Sequence, residues 1–263
     1  RTTMGVIRAV LSDRYLPISN WDLARISYGL MEKWNQAGKC PVKVYECDVS
    51  DTSMHLKFLS ETPIVLGSLK DGSPDIAYGG INITNSEVGA SSYLVEPYML
   101  RLVCENGMIA PRSIKQIHLG SKIEIGVYKA DTMQSINTTF ALEFRDIFDS
   151  VMSPETSFFK DFTASIIRSK AVMMRDFGNV KDVATQISKN MDLHDAEIDK
   201  VLALIDFGDQ TMRPDDLGSQ WALGNAITAV ANCIPNMERK IELQRAGFEV
   251  LTKAPEILLK VRA

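Results

Sequence analysis

Gly80-Ile81-Asn82-Ile83-Thr84-Asn85-Ser86-Glu87-Val88-Gly89 and, a few residues on, Tyr98-Met99-Leu100-Arg101-Leu102-Val103-Cys104-Glu105-Asn106-Gly107-Met108 decide how this chain is read. Ile81 and Ile83 fall on one face of a strand. Tyr98, Leu100, Leu102 and Cys104 line one face of the next, with Arg101 on the other, because side chains alternate along a strand. Asn106-Gly107 tolerates positive φ and predicts a hairpin turn, with a strand from Ile114 to Leu119 returning antiparallel. Gly79-Gly80 and Gly89 read as turn or bulge positions. The stretch from Gly80 to Gly120 also carries Asn85, Ser86, Glu87, Arg101 and His118, polar groups that alternation alone does not require.

Working towards the N-terminus, the period stays at two. Tyr45, Cys47 and Val49 alternate with Glu46 and Asp48, and Leu56 and Phe58 flank Lys57, with Ser50-Asp51-Thr52-Ser53 between the runs, so Val42 to Leu59 reads as a hairpin. A loop is expected around Lys70-Asp71-Gly72-Ser73-Pro74. Before the hairpin, Leu23, Ile26, Leu30 and Trp34 recur at helical spacing, with Asn20 as cap, Asp22 in the first turn and Gly38 beyond the end. Residues 5–17 open on an apolar run, Val6-Ile7 and Val10-Leu11, that stops before Pro17.

Towards the C-terminus the period becomes helical. Phe140, Phe144, Ile147, Phe148 and Val151 form one stripe, closed by Ser153-Pro154, and Phe158, Phe162, Ile166 and Ile167 form the next. Further helices are expected over 179–190, 194–206, 217–233 and 237–252. The fold class is therefore α+β: an N-terminal, mainly antiparallel β-sheet with a helix over 1–130, then a helical half over 131–263, packed with the first as one continuous domain.

Composition narrows the function classes. The chain has 263 residues, 45% hydrophobic and 24% charged, ordinary for a globular protein, and no apolar run reaches membrane-spanning length. The opening Arg1-Thr2-Thr3-Met4 lacks a signal-peptide core, so a cytoplasmic location is expected with no membrane partner. Four scattered cysteines do not make a disulfide framework. Cys40, Cys47, His55 and His118 lack metal-site spacing and no phosphate loop is present, so neither metal nor cofactor is expected. Residues 1–130 hold 14 Lys and Arg against 13 Asp and Glu, and residues 131–263 hold 15 against 20, which makes the front half the better partner for a polyanion.

Three chemistries remain. A single-strand binder needs cations tracking phosphates and aromatics for stacking. Arg8, Arg14, Lys43, Lys57, Arg101, Arg112 and Lys115 can supply the first, and Tyr15, Tyr45 or Tyr93 the second. Arg14, Arg101, Arg112 and Lys115 are accordingly expected to meet phosphates, Tyr15 to stack, and Asn106 and His118 to shape the site; Asn85, Ser86 and Glu87 form a polar cluster of unknown role. A hydrolase or transferase would instead use Ser86 or Cys104 as nucleophile, His118 as base and Glu87 or Glu105 as orienter, although neither nucleophile sits in a recognised elbow and no catalytic residue is assigned. The third is a protein-interaction module using the acidic helical half. Val180 to Ile205 is a poor DNA-reading helix-turn-helix, since Lys189, His194 and Glu197 fall where that motif wants apolar residues.

Arg8-Ala9-Val10-Leu11-Ser12-Asp13-Arg14-Tyr15, Asn85-Ser86-Glu87-Val88-Gly89, Arg101 to Met108, His118-Leu119-Gly120 and Trp221-Ala222-Leu223-Gly224-Asn225-Ala226-Ile227-Thr228 together resemble the domain-of-unknown-function family 932. Gly224 departs from the larger residue expected before the Asn-Ala pair. The resemblance implies a phage- or plasmid-borne protein of a mobile element and assigns no residue a role. It favours a non-catalytic protein that binds single-stranded DNA and assists annealing, recombination or replication, with self-association into an oligomer as an open alternative.

Overall fold

In a computed structural model the protein is described over residues 2–3, 6–7, 9–10, 19–102, 105–110, 142, 145–146, 148–149, 151–152, 157–207 and 212–260. Strands β1 (Thr2–Thr3) and β2 (Val6–Ile7) form a short antiparallel pair. Helix α1 spans Asn20–Gln36. Strands β3 (Val42–Val49), β4 (Met54–Ser68), β5 (Pro74–Asn85), β6 (Leu94–Arg101) and β7 (Asn106–Ile109) follow, in one antiparallel sheet of that order. The C-terminal half is helical: α2 (Ser157–Ala171), α3 (Val180–Asn190), α4 (Asp195–Phe207), α5 (Gln220–Asn232), α6 (Met237–Thr252) and α7 (Pro255–Leu258). The α+β reading holds, sheet and helix first and helices after. The chain forms two compact units, one from Arg1–Thr62, Gly80–Pro97 and Arg112–Ser153, the other from Pro63–Gly79, Tyr98–Pro111 and Pro154–Ala263.

In the first unit α1 begins at Ser19, whose Oγ accepts from the Asp22 amide at 3.4 Å, so the cap is Ser19 and not the expected Asn20. Asp22 suits the positive end of the helix dipole and Lys33 the negative end. Its buried face is Leu23, Ser27, Met31 and Trp34, with Ile26 and Leu30 half-buried. Trp34 meets Phe148 edge-on at 5.4 Å, and Phe148 meets Phe58 at 6.1 Å. Each such side chain, fully buried, contributes about 1.5–3 kcal/mol. The expected β3–β4 hairpin is present, with Val49 opposite Met54 and the Ser50 amide donating to the Ser53 carbonyl. A register shift between Val44 and Glu46 breaks the alternation, and Tyr45, Cys47 and Val49 all face outward.

Two glycine expectations are corrected. Gly79 and Gly80 lie inside β5 and not at a turn: a Cβ on Gly80 would overlap the Phe58 carbonyl, so the strand needs glycine for close approach to its neighbour. Asn106-Gly107 likewise is not the turn. In the second unit Asn106 is paired with Arg101, and Gly107 with Leu100, as the first residues of β7; the positive φ of the connection belongs to Glu105, at +50°. Gly107 is required because a Cβ there would overlap the Tyr98 hydroxyl. The strand expected over Ile114 to Leu119 lies outside the described residues.

The helices of the second unit match their expected ranges to within about three residues, and Asn179, Ser219 and Asn236 cap α3, α5 and α6. Helix α5 is buried on nearly every side, against α2, α4, α6 and β7. Gly224 then has a reason: its Cβ would sit 2.6 Å from Leu251 Cδ2 and 3.1 Å from the Gly247 carbonyl, where α5 and α6 come together. In α2, Phe162 stacks on Phe248 of α6 at 5.0 Å; Phe159 replaces Ile167 on the buried face, Ile167 being exposed. The α3–α4 pair buries Val183, Ala184 and Ile187, while α4 turns Asp195, Asp199 and Lys200 outward, an acid-rich face unsuited to the DNA groove.

Candidate functional site

The polar run that opened the sequence reading is absorbed into the fold of the first unit. Asn85 ends β5 and donates through Nδ2 to Asn20 Oδ1 at 2.7 Å. Glu87 Oε1 accepts from the Asn20 amide at 2.9 Å, so a carboxylate occupies the N-terminus of α1, where unsatisfied N–H groups and the dipole favour it. Ser86 Oγ donates to the Thr52 carbonyl at 2.7 Å and accepts from the amides of Ala90 at 2.9 Å and Val88 at 3.2 Å. The three residues tie the β5–β6 connection to the β3–β4 loop and to α1. The Ser86 hydroxyl is thus engaged by backbone on both its donor and acceptor sides.

The two assigned nucleic-acid contacts that fall within the described residues are buried in the second unit. Arg101 donates through Nε to Asp75 Oδ1 at 2.8 Å, and its guanidinium lies 5.5 Å from the centre of the Trp221 ring. Lys170 Nζ lies 5.3 Å from the same ring and 3.7 Å from Asp216. Asn106 Nδ2 donates to the Asn225 carbonyl at 3.3 Å, and Asn106 Oδ1 accepts from Asn232 Nδ2 at 3.0 Å. These are fold contacts: they satisfy polar groups that would be costly to bury alone. Arg14, Tyr15, Arg112, Lys115 and His118, with Cys104, lie outside the described residues. Of the further cations and aromatics considered, Lys57 and Tyr93 are buried, whereas Lys43 and Tyr45 are exposed.

Two features escaped the sequence reading. The first is a polar sheet face in the first unit that is buried and not solvated. His55 joins Ser53 and Thr84, its Nε2 3.2 Å from one hydroxyl and its Nδ1 3.1 Å from the other. Asn82 Nδ2 donates to Thr84 Oγ1 at 3.2 Å and to Glu96 Oε2 at 3.3 Å; its Oδ1 has no hydrogen-bond partner among the described residues. Lys57, 1% exposed, donates to Glu46 Oε2 at 2.6 Å. His55 and Lys57 alternate with Leu56 and Phe58 as solvent-facing residues would, so the alternation carries no sign of cover. The hydrogen bonds made across this face hold its side chains in place.

The second feature is its opposite. On the outer face of α1, Trp21 is 74% exposed and Tyr28 50%, with the Arg25 side chain between them also exposed. Positions i, i+4 and i+7 form one row, Trp21 and Tyr28 about 10 Å apart along the axis. Arg25 meets Asp22 at 3.9 Å across solvent, a pair worth at most about 1 kcal/mol. The signal was available in sequence, since Trp21 and Tyr28 lie off the Leu23–Trp34 stripe that had already been placed inward.

Comparison of the chain with protein-family models, with curated proteins and with solved structures gives no match.

Proposed function

We propose that the protein is a non-catalytic, phage- or plasmid-borne nucleic-acid-binding protein that holds single-stranded DNA on the outer face of α1. The observation that carries this reading is the exposed Trp21-Arg25-Tyr28 row. Tryptophan is buried to a large extent on average, and nothing among the described residues covers Trp21. Two rings presented with a guanidinium between them match what a sequence-tolerant strand binder uses: faces on which bases stack, at about 1–3 kcal/mol per base, and a cation for the intervening phosphate. The mobile-element context rests on the resemblance to the domain-of-unknown-function family 932. The binding surface rests on α1 and not on Arg101 or Asn106, which the fold consumes.

Tryptophan emission tests the reading. Of the three tryptophans, Trp34 and Trp221 are 6% and 1% exposed, so emission quenchable by a stacked base belongs to Trp21. Oligothymidylate should quench it at about 50 mM salt and bind much more weakly at about 200 mM. Trp21→Ala should lower affinity by about tenfold, the loss of one stacked base. Absence of strand binding at low salt, by fluorescence and by electrophoretic shift, overturns the proposal.

A further inference from the structure

A cavity in the second unit lies between α4, residues 212–218 and α5, and reaches Asn106 at the start of β7; its volume is about 170 Å³. One side of α5 forms the floor, where Ala222, Asn225 and Ala229 recur at i, i+3 and i+7 and the alanines leave the space open. The lip is apolar: Leu204 and Leu217 line the cavity and are 40% and 39% exposed. None of the described lining residues is charged. One polar atom in the floor is left over. Asn225 is 3% exposed; its Nδ2 donates to the Trp221 carbonyl at 2.9 Å, and its Oδ1 has no hydrogen-bond partner among the described residues. A carbonyl only accepts, so the NH₂ arm of this amide is fixed towards Trp221 and the open arm is the acceptor. Asn106 is spent on the fold, donating to the Asn225 carbonyl and accepting from Asn232. Buried polar atoms nearly always have a partner, and each exception calls for a reason.

We propose that this cavity binds a small neutral phenol, its ring against the alanines of α5 and the two lip leucines and its hydroxyl donating to Asn225 Oδ1. Charge, size and polarity each narrow the occupant. An uncharged, mainly apolar lining excludes an ionised ligand, which would lose its hydration without a counter-charge. A closed aliphatic cavity of about 150 Å³ holds benzene, so the space here suits one ring with one small substituent and falls short of the roughly 300 Å³ at which drug-sized pockets begin. The substituent has to donate, because the polar atom that the fold leaves open is an acceptor.

Isothermal calorimetry on the whole chain compares phenol with toluene, which carries a methyl group in place of the hydroxyl. In an apolar cavity without an acceptor toluene binds more tightly, because only the hydroxyl has water to give up. Here phenol should bind one molecule per chain and about fivefold more tightly than toluene, the worth of one ordinary hydrogen bond. Nuclear Overhauser contacts from the phenol ring to the methyl groups of Ala222 and Ala229 should locate it without any substitution. Ala229→Leu, at a half-buried position of the floor, should fill the space and abolish phenol binding, with circular dichroism confirming that the variant is folded. Toluene binding as tightly as phenol marks a plain apolar slot and overturns the assignment. So does the absence of binding by either compound, contact of phenol with other residues, or phenol binding retained in folded Ala229→Leu. The comparison of the two compounds needs no variant, and it involves no residue of the Trp21 row, so strand binding on α1 stands or falls separately.

Discussion

Two arginines in this protein lie beside tryptophans, and their surroundings are opposite. Arg101 is buried in the second unit, bound to Asp75 and set against Trp221, itself buried. Arg25 stands on the surface of the first unit one helical turn from Trp21, and both side chains face solvent. Residue type is the same in the two places, and partner accounting separates them. Where burial has removed water, a charged group has to find a partner in the protein, and the cation becomes part of the fold. Where water still covers an aromatic ring and a cation together, the pair is available to a ligand. The same test sorts Asn85, Ser86 and Glu87, which have their partners in Asn20 and Thr52, from the α1 row.

The largest effect expected from this contrast is on stability. Arg101→Ala removes one member of a buried ion pair and leaves Asp75 charged without its partner, at a cost of about 3–5 kcal/mol. Urea denaturation should show that loss, while Trp21→Ala should change stability by no more than about 0.5 kcal/mol. A mild Arg101→Ala phenotype accompanied by lost strand affinity would reverse the roles assigned to the two arginines.

Much of the fold was legible because it rests on periodicity. The helices over 180–190, 195–207, 220–232 and 237–252 lie within about three residues of the ranges expected from sequence, and the β3–β4 hairpin follows from two alternating runs around Ser50–Ser53. What was not legible depends on the neighbour across space. Gly80 and Gly107 look like turn residues, and only the nearness of the Phe58 carbonyl and the Tyr98 hydroxyl shows that they are close-approach residues within strands. Lys57 and His55 alternate as an outward face would, yet both are buried, and the Thr84 hydroxyl that His55 meets is 29 residues away. Arg101 looked like a phosphate contact for the same reason: its partner, Asp75, is 26 residues away. For Trp21 the pattern was sufficient, because a helix with its apolar stripe already assigned leaves the opposite face to solvent.

A second ion pair sharpens the contrast through pH. Glu197 starts α4 and accepts from Arg239 Nε at 3.0 Å and Nη2 at 2.6 Å, and from the His194 amide at 2.8 Å. The hydrogen bonds from Arg239 hold its carboxyl below the usual range, with partial burial opposing and the His194 amide assisting. Because the folded-state pKa is depressed, the associated stability is fully present above the unfolded value of about 4.3 and is lost as pH falls through the folded value. Glu197→Gln should therefore lose about 1.5–3 kcal/mol at pH 7 and show a shallower decline of stability below about pH 4.3 than the parent chain. Parallel acid-unfolding curves for the two proteins would remove Glu197 from the account. Arg25 and Asp22, 3.9 Å apart and open to solvent, should give no comparable change when Asp22 becomes Asn.

The smallest predicted effect has the opposite sign and concerns the open face itself. Gly29 lies in the middle of α1, next to Tyr28 and one turn beyond Arg25, and a Cβ there would meet nothing within 4 Å. Glycine inside a helix carries a conformational-entropy cost without a packing reason at this position, whereas at Gly80 the Phe58 carbonyl supplies one. Gly29→Ala should accordingly raise the unfolding free energy by about 0.5–1 kcal/mol, chiefly by restricting the unfolded chain. Gly80→Ala should lower it, because the new methyl group has to displace backbone. The Gly29 variant also reports on the strand path. If bases lie along Trp21, Arg25 and Tyr28 only, oligothymidylate affinity stays at the parent value while stability rises. A fall in affinity at raised stability would place the strand directly over the Gly29 backbone, and so widen the stacking face of α1 beyond the Trp21-Arg25-Tyr28 row.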